Sequence, residues 1–159
     1  VVEITLSNQE MMVAAYAGCR RTVASRARGL VPEFGNNPLE IWGMDVEGAA
    51  GEMAAAKALN LYWDGAVNTF HRGDVGPIQI RTAIAHDRCL IVRDRDSDED
   101  NFVLVTGLMP TFRIHGWIRG ADAKRPEWLR APQGRPPAWF VPQSELFSVQ
   151  TLARFSEVG

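Results

Sequence analysis

The chain has 159 residues, of which 46% are hydrophobic and five are tryptophan. That excludes a disordered tail and suits one domain with one substantial core. A formal charge of −2 argues against a nonspecific nucleic-acid binder, which carries excess Lys and Arg.

No apolar run is long enough to span a bilayer. Val1-Val2-Glu3-Ile4-Thr5 lacks the basic start of a secretory signal. Cys19 and Cys89 show no metal-like spacing, so buried free thiols in a reducing cytoplasm are the expectation. Basic residues gather in two places, Arg20 to Arg28 and Arg119 to Arg135, while acids concentrate between Asp94 and Asp100.

Ser7-Asn8-Gln9-Glu10 has capping-box spacing and starts a helix at Asn8. Met12, Tyr16, Cys19, Val23 and Ala27 recur at helical spacing and predict its buried stripe, and the helix should fail by Gly29 to Pro32. Gly35-Asn36-Asn37-Pro38 is a loop. Asp45 is the expected N-cap of a second helix over Val46 to Leu59, whose Gly and Ala run implies another backbone packed closely against it. Strands follow at Ala66 to Phe70, Ile78 to Ala83, Leu90 to Arg93, Phe102 to Gly107 and Phe112 to Ile118. Asp94 to Asn101 reads as a polar hairpin loop and Met109-Pro110 as a tight turn. Beyond Arg119 the chain is rich in Pro, Gly and charge, with a short helical turn around Trp128. A last strand, Ala138 to Val141, and a terminal helix, Gln143 to Phe155, complete it. The order is α+β: a helical part over 1–60, a sheet core over 61–120 and a Pro/Arg-rich tail over 121–159, all in one domain.

Chemistry concentrates around Gly73-Asp74-Val75-Gly76-Pro77-Ile78-Gln79-Ile80-Arg81. An Asp in a glycine turn is ordinarily turn chemistry. Here it precedes a strand on which Gln79 and Arg81 share one face, and it follows the acidic, small-residue helix Gly51-Glu52-Met53-Ala54-Ala55-Ala56-Lys57. Over Asp45 to Arg93 this constellation resembles the PD-(D/E)XK nuclease superfamily, with Gln79 where an acid is usual and Arg81 where Lys is usual. The compact chain is also similar to small stand-alone phage or prophage nuclease-like proteins.

The resemblance implies a restriction-endonuclease-like fold, with helices on a mixed, mostly antiparallel central sheet. It also implies a DNA endonuclease that hydrolyses phosphodiester bonds with Mg²⁺ or Mn²⁺. Asp74, Glu52, Gln79 and the Ile80 carbonyl would be the metal ligands, and Arg81 would grip the phosphate. Arginine stays charged and cannot serve as a base. A catalytically degenerate module that binds nucleic acid or protein therefore stands as the alternative. A homodimer would offer one site to each strand of a duplex, although no residue requires it.

Glu47 competes with Glu52, but five helical residues turn them about 140° apart, and Glu52 lies deeper among the alanines. His71 lies three residues before Asp74 and could reach the site, whereas His86 and His115 lack zinc spacing. The Asp94 to Asp100 run lacks the Gly and Glu of a calcium loop, so a solvated loop is expected. Arg119, Lys124, Arg125 and Arg130, with Trp117, Trp128, Trp139 and Phe140 nearby, are the candidate nucleic-acid contacts.

Overall fold

The computed structural model describes residues 1–30, 37–65 and 73–156, with side chains up to residue 152. The elements are β1 (Val2–Thr5), α1 (Asn8–Ala27), α2 (Glu40–Leu59), β2 (Ile78–Ala83), β3 (Leu90–Arg93), β4 (Asn101–Leu108), β5 (Thr111–Arg119), α3 (Gly120–Ala123), β6 (Leu129–Arg130), β7 (Ala138–Val141) and α4 (Val149–Ser156). The fold is α+β. One sheet has the order β1-β5-β4-β2, the other β3-β7-β6. Among the described residues only β2 and β4 run parallel, and every other ladder is antiparallel. The expected strand at 66–70 and His71 lie outside the described residues. Among the described residues no helix is long and apolar enough to cross a membrane.

β4 is the structural centre. Val103 and Val105 face a core shared with Ile78, Ile80 and the α2 alanines, while Phe102 and Leu104 face a second core with Leu90, Val92, Trp128 and Val141. A strand covered on both faces reads as a continuous apolar run, as Phe102-Val103-Leu104-Val105 does. The β2 ladder brings Gln79 beside Phe102 and Arg81 beside Leu104. The alternation therefore sends Ile78 and Ile80 toward the helices, and Gln79 and Arg81 toward the second core.

Several sequence expectations need correction. The capping box at Ser7 and Glu10 forms as expected, yet Met12 and Tyr16 are each about two-thirds exposed and Val23 is exposed too. α1 buries Ala14, Ala17, Gly18 and Thr22 instead, because it lies so close to α2 that only small side chains fit the seam. α2 begins at Glu40, not after Asp45. Its extra turn is held by Arg26, which stacks over Trp42 at 5.1 Å and donates to the Pro38 carbonyl at 2.7 Å. Asp45 is not a cap; it accepts a 2.6 Å hydrogen bond from the Thr22 hydroxyl.

The Asp94 to Asn101 segment does not close a hairpin, since β3 pairs with β7 and the segment crosses between the two sheets. Gln143–Glu145 forms only a 3-10 turn. Phe147 then exchanges two 2.9 Å backbone hydrogen bonds with Trp117, which delays α4 to Val149. Strand β1 has no counterpart in the sequence expectations and pairs with β5.

A Cβ on Gly18 would fall 2.5 Å from the Val46 Cα and 2.7 Å from the Asp45 carbonyl oxygen. Backbone cannot yield there, so Gly18→Ala should cost about 1–3 kcal/mol through overpacking. Gly43, exposed in α2 with open space around its Cβ position, is the opposite case, and Gly43→Ala should gain about 0.5–1 kcal/mol of helix stability. Urea unfolding midpoints of the two variants check the contrast. Equal shifts would mean the seam is looser than its geometry.

Candidate functional site

The turn before β2 places Asp74. Val75 and Ile78 exchange backbone hydrogen bonds of 3.1 and 3.0 Å around Gly76, which has φ of 57°. This folds the chain back so that Asp74 Oδ2 accepts the Ile80 N–H at 2.7 Å. No other hydrogen bond to this carboxylate is seen among the described residues. Burial raises its pKa above the ordinary range and Asp100 adds to the rise, against the pull of the Ile80 N–H, Arg81 and Arg21.

Glu52 approaches from the helix side. Arg21 of α1 donates to both its oxygens, Nη1 to Oε1 and Nη2 to Oε2, each at 2.6 Å, and Trp63 Nε1 donates to Oε2 at 3.1 Å. Burial raises the Glu52 pKa, opposed by the Arg21 hydrogen bonds and charge, while the Asp74 charge adds to the rise. Burial by itself would lower the Arg21 pKa, but Glu52, Asp74 and Asp45 raise it.

On the other face of β2, Gln79 and Arg81 are held by the acidic loop. Gln79 Nε2 donates to Asp100 Oδ2 at 3.2 Å, and Arg81 Nη2 to Asp96 Oδ2 at 2.9 Å. The Arg81 guanidinium lies 4.9 Å over the Phe102 ring, leaving its buried Nε without a hydrogen-bond partner. The acidic run is therefore no plain solvated loop: Asp98 pairs with Lys124 and Glu99 with Arg119. Asp74 is the node, within electrostatic reach of Arg21, Glu52, Arg81 and Asp100.

Glu47 is occupied elsewhere, accepting the Met109 N–H at 3.0 Å. The candidate nucleic-acid contacts are engaged within the protein, Arg119 and Lys124 with the acidic loop and Arg125 and Arg130 with their own segment. Lys124 donates to the Asp96 carbonyl at 2.7 Å, Arg125 stacks 4.8 Å from Trp128, and Arg130 donates to the Glu127 and Leu129 carbonyls. Trp128 is buried and Trp117 packs on Phe147.

Sequence reasoning missed Arg21, which looked like one member of a solvated basic run. It also missed the meeting of His86 and His115 at the Thr106 hydroxyl, at 2.8 and 2.6 Å. Burial lowers the His115 pKa, with the His86 charge adding to the effect.

Among the described residues no three His, Cys, Asp or Glu side chains gather around one point that could hold a metal. What remains is an all-oxygen donor set of two carboxylates and neutral carbonyl oxygens. That chemistry fits Mg²⁺, which commonly takes only one or two carboxylates, provided Arg21 yields an oxygen of Glu52. No family model, curated protein or solved structure matches the chain.

The raised carboxyl pKa values carry a sign. The folded state holds the Asp74 and Glu52 protons more tightly than the unfolded chain does. Their stability contribution is thus complete below the unfolded pKa and lost as pH rises through the folded values. Asp74→Asn keeps an oxygen for the Ile80 N–H and removes the charge, so its stability relative to wild type should grow from acidic to neutral pH. Urea unfolding across that range measures it; a pH-independent difference would contradict the shift.

Proposed function

We propose that the protein is a divalent-cation-dependent DNA nuclease of PD-(D/E)XK type, centred on Asp74. The observation that supports this most is the placement of two carboxyls, the buried Glu52 and the half-buried Asp74, both raised in pKa chiefly by burial, with Arg21 held by one and Arg81 within electrostatic reach of the other. Carboxyls raised in pKa by burial are a poor way to stabilise a fold and a common mark of a functional site.

Asp74 and Glu52 would hold the cation, with the Gln79 amide oxygen and the Ile80 carbonyl as neutral donors. When bound, Mg²⁺ or Mn²⁺ supplies Lewis acidity at the scissile phosphate. Asp74 keeps its orientation through the Ile80 N–H. Arg81 stays protonated throughout, so its part is electrostatic: it turns from Asp96 toward the phosphate oxygens as negative charge builds there. Gln79, tied to Asp100, fixes the strand-side wall.

A specific observation favours a second reading. Arg21 occupies both oxygens of Glu52 and Asp96 neutralises Arg81, so the site is closed by its own ion pairs. A module that binds nucleic acid or a protein without catalysis would keep such pairs.

Incubation with supercoiled, linear, single-stranded and branched DNA in Mg²⁺, Mn²⁺ or EDTA separates the readings. Cutting that requires the cation and vanishes in Asp74→Asn is the expected result; DNA binding without cutting would favour the module. Arg81→Lys should retain activity, while Arg81→Ala should lose about 10²–10³-fold in rate. Full activity in Arg81→Ala would remove Arg81 from the mechanism.

A further inference from the structure

The outer face of the second sheet carries a hollow that the site residues do not use. Ile91 and Phe140 stand directly opposite each other in the β3–β7 ladder. Their strand neighbours Val92 and Val141 are buried in the second core, so Ile91 and Phe140 point away from it. The solvent face of an antiparallel sheet is ordinarily polar. Here it forms the apolar floor of a cavity of about 270 Å³, walled by Pro136 and Pro137. Arg93, Arg95 and Arg135 line it against a single acid, Asp94.

The rim of this hollow and Arg81 share one anchor. Asp96 Oδ2, which accepts from Arg81 at 2.9 Å, also accepts the Arg93 backbone N–H at 2.8 Å. One carboxylate oxygen therefore anchors both the proposed phosphate-binding guanidinium and the rim of the cavity.

Resting on the nuclease reading, we propose that this cavity takes one unpaired nucleotide of the DNA strand. Base stacking suits the Phe140 ring and neighbouring guanidinium planes, and the backbone phosphate suits Arg95 and Arg135. The volume lies just below the roughly 300–1,000 Å³ typical of small-ligand sites. It admits a single nucleotide and not a duplex, whose bases are stacked inside. Rigid proline walls lose little conformational freedom on binding. The substrate class that follows is single-stranded, flapped or frayed DNA.

The test uses the whole chain in EDTA, so that binding is read without cutting, by fluorescence anisotropy. The ligands are an oligothymidine, an abasic strand of equal charge and a blunt duplex. The oligothymidine should bind about tenfold or more tighter than the abasic strand, the difference base stacking makes, and tighter than the duplex. Phe140→Ala should erase the gap between the thymidine and abasic strands. Arg135→Glu, at an exposed position, should weaken both strands alike with a shallower salt dependence; it guards against a Phe140 variant that fails to fold.

Equal affinity for thymidine and abasic strands would overturn the proposal. Tight thymidine-strand binding by a protein that cuts nothing would uphold the cavity while the nuclease reading fell. Cation-dependent cutting of blunt duplex as fast as single strands would do the reverse.

Discussion

The approach of α1 to α2 at Gly18 is the constraint on which the charged centre depends. With a hydrogen where a Cβ would otherwise collide with Val46, the helices come together closely enough for the next turn of α1 to deliver its polar groups into the seam. Thr22 reaches Asp45, and Arg21 reaches both oxygens of Glu52. A buried ion pair is tolerable only with near-ideal geometry and satisfied hydrogen bonds, and the bidentate grip with Trp63 supplies both. One turn along α2, Gly51 does the same against β2, where a Cβ would lie 2.4 Å from the Thr82 hydroxyl. The two glycine contacts together bring helix and strand close enough for Glu52 to feel the charge of Asp74.

Strand β2 then acts as a partition. One face is packed against the helices through Ile78 and Ile80, and the other carries Gln79 and Arg81 into the reach of the acidic loop. Asp74, in the turn ahead of the strand, sits where the two sides meet. The cluster contains features that a protein selected only for stability would discard. Two carboxyls are raised by burial and by like charges, and the buried Arg81 Nε–H has no acceptor. An unsatisfied buried donor costs about 1–3 kcal/mol, and such costs gather where function maintains them. The ion pairs that close the site are the counterweight, and their release is what a bound cation and a phosphate would have to bring about.

Much of the fold was legible because its signals are local. Ser7 and Glu10 announce the start of α1, Asn60 in the left-handed conformation ends α2, and strands β2, β3 and β7 follow the bounds that alternation suggests. The errors share one physical cause: size and burial are set by neighbours. Met12 and Tyr16 looked like core by spacing, yet the seam they would have filled leaves room only for Ala and Gly. Asp45 looked like a cap because its partner, Thr22, is 23 positions away. β3 and β4 looked like a hairpin because nothing local says that β3 belongs to the other sheet. At the site, the shared face of Gln79 and Arg81 followed from period-two alternation. Their acidic partners did not, since a run of aspartates reads as solvated until the fold brings it to β2. Arg21 was hidden for the same reason.

The central proposal is that Asp74 and Glu52, both raised in pKa chiefly by burial, are kept for a cation. Thermal unfolding of the protein without DNA, followed as Mg²⁺ or Mn²⁺ is titrated, tests it most directly. A ligand at free concentration L that binds only the folded state stabilises it by RT ln(1 + L/Kd), so the midpoint keeps rising with the logarithm of ligand concentration above Kd. The account predicts a rising midpoint for the wild-type chain and a flat one for Asp74→Asn, at matched ionic strength. A flat response in both proteins, or the same rise in both, would contradict it.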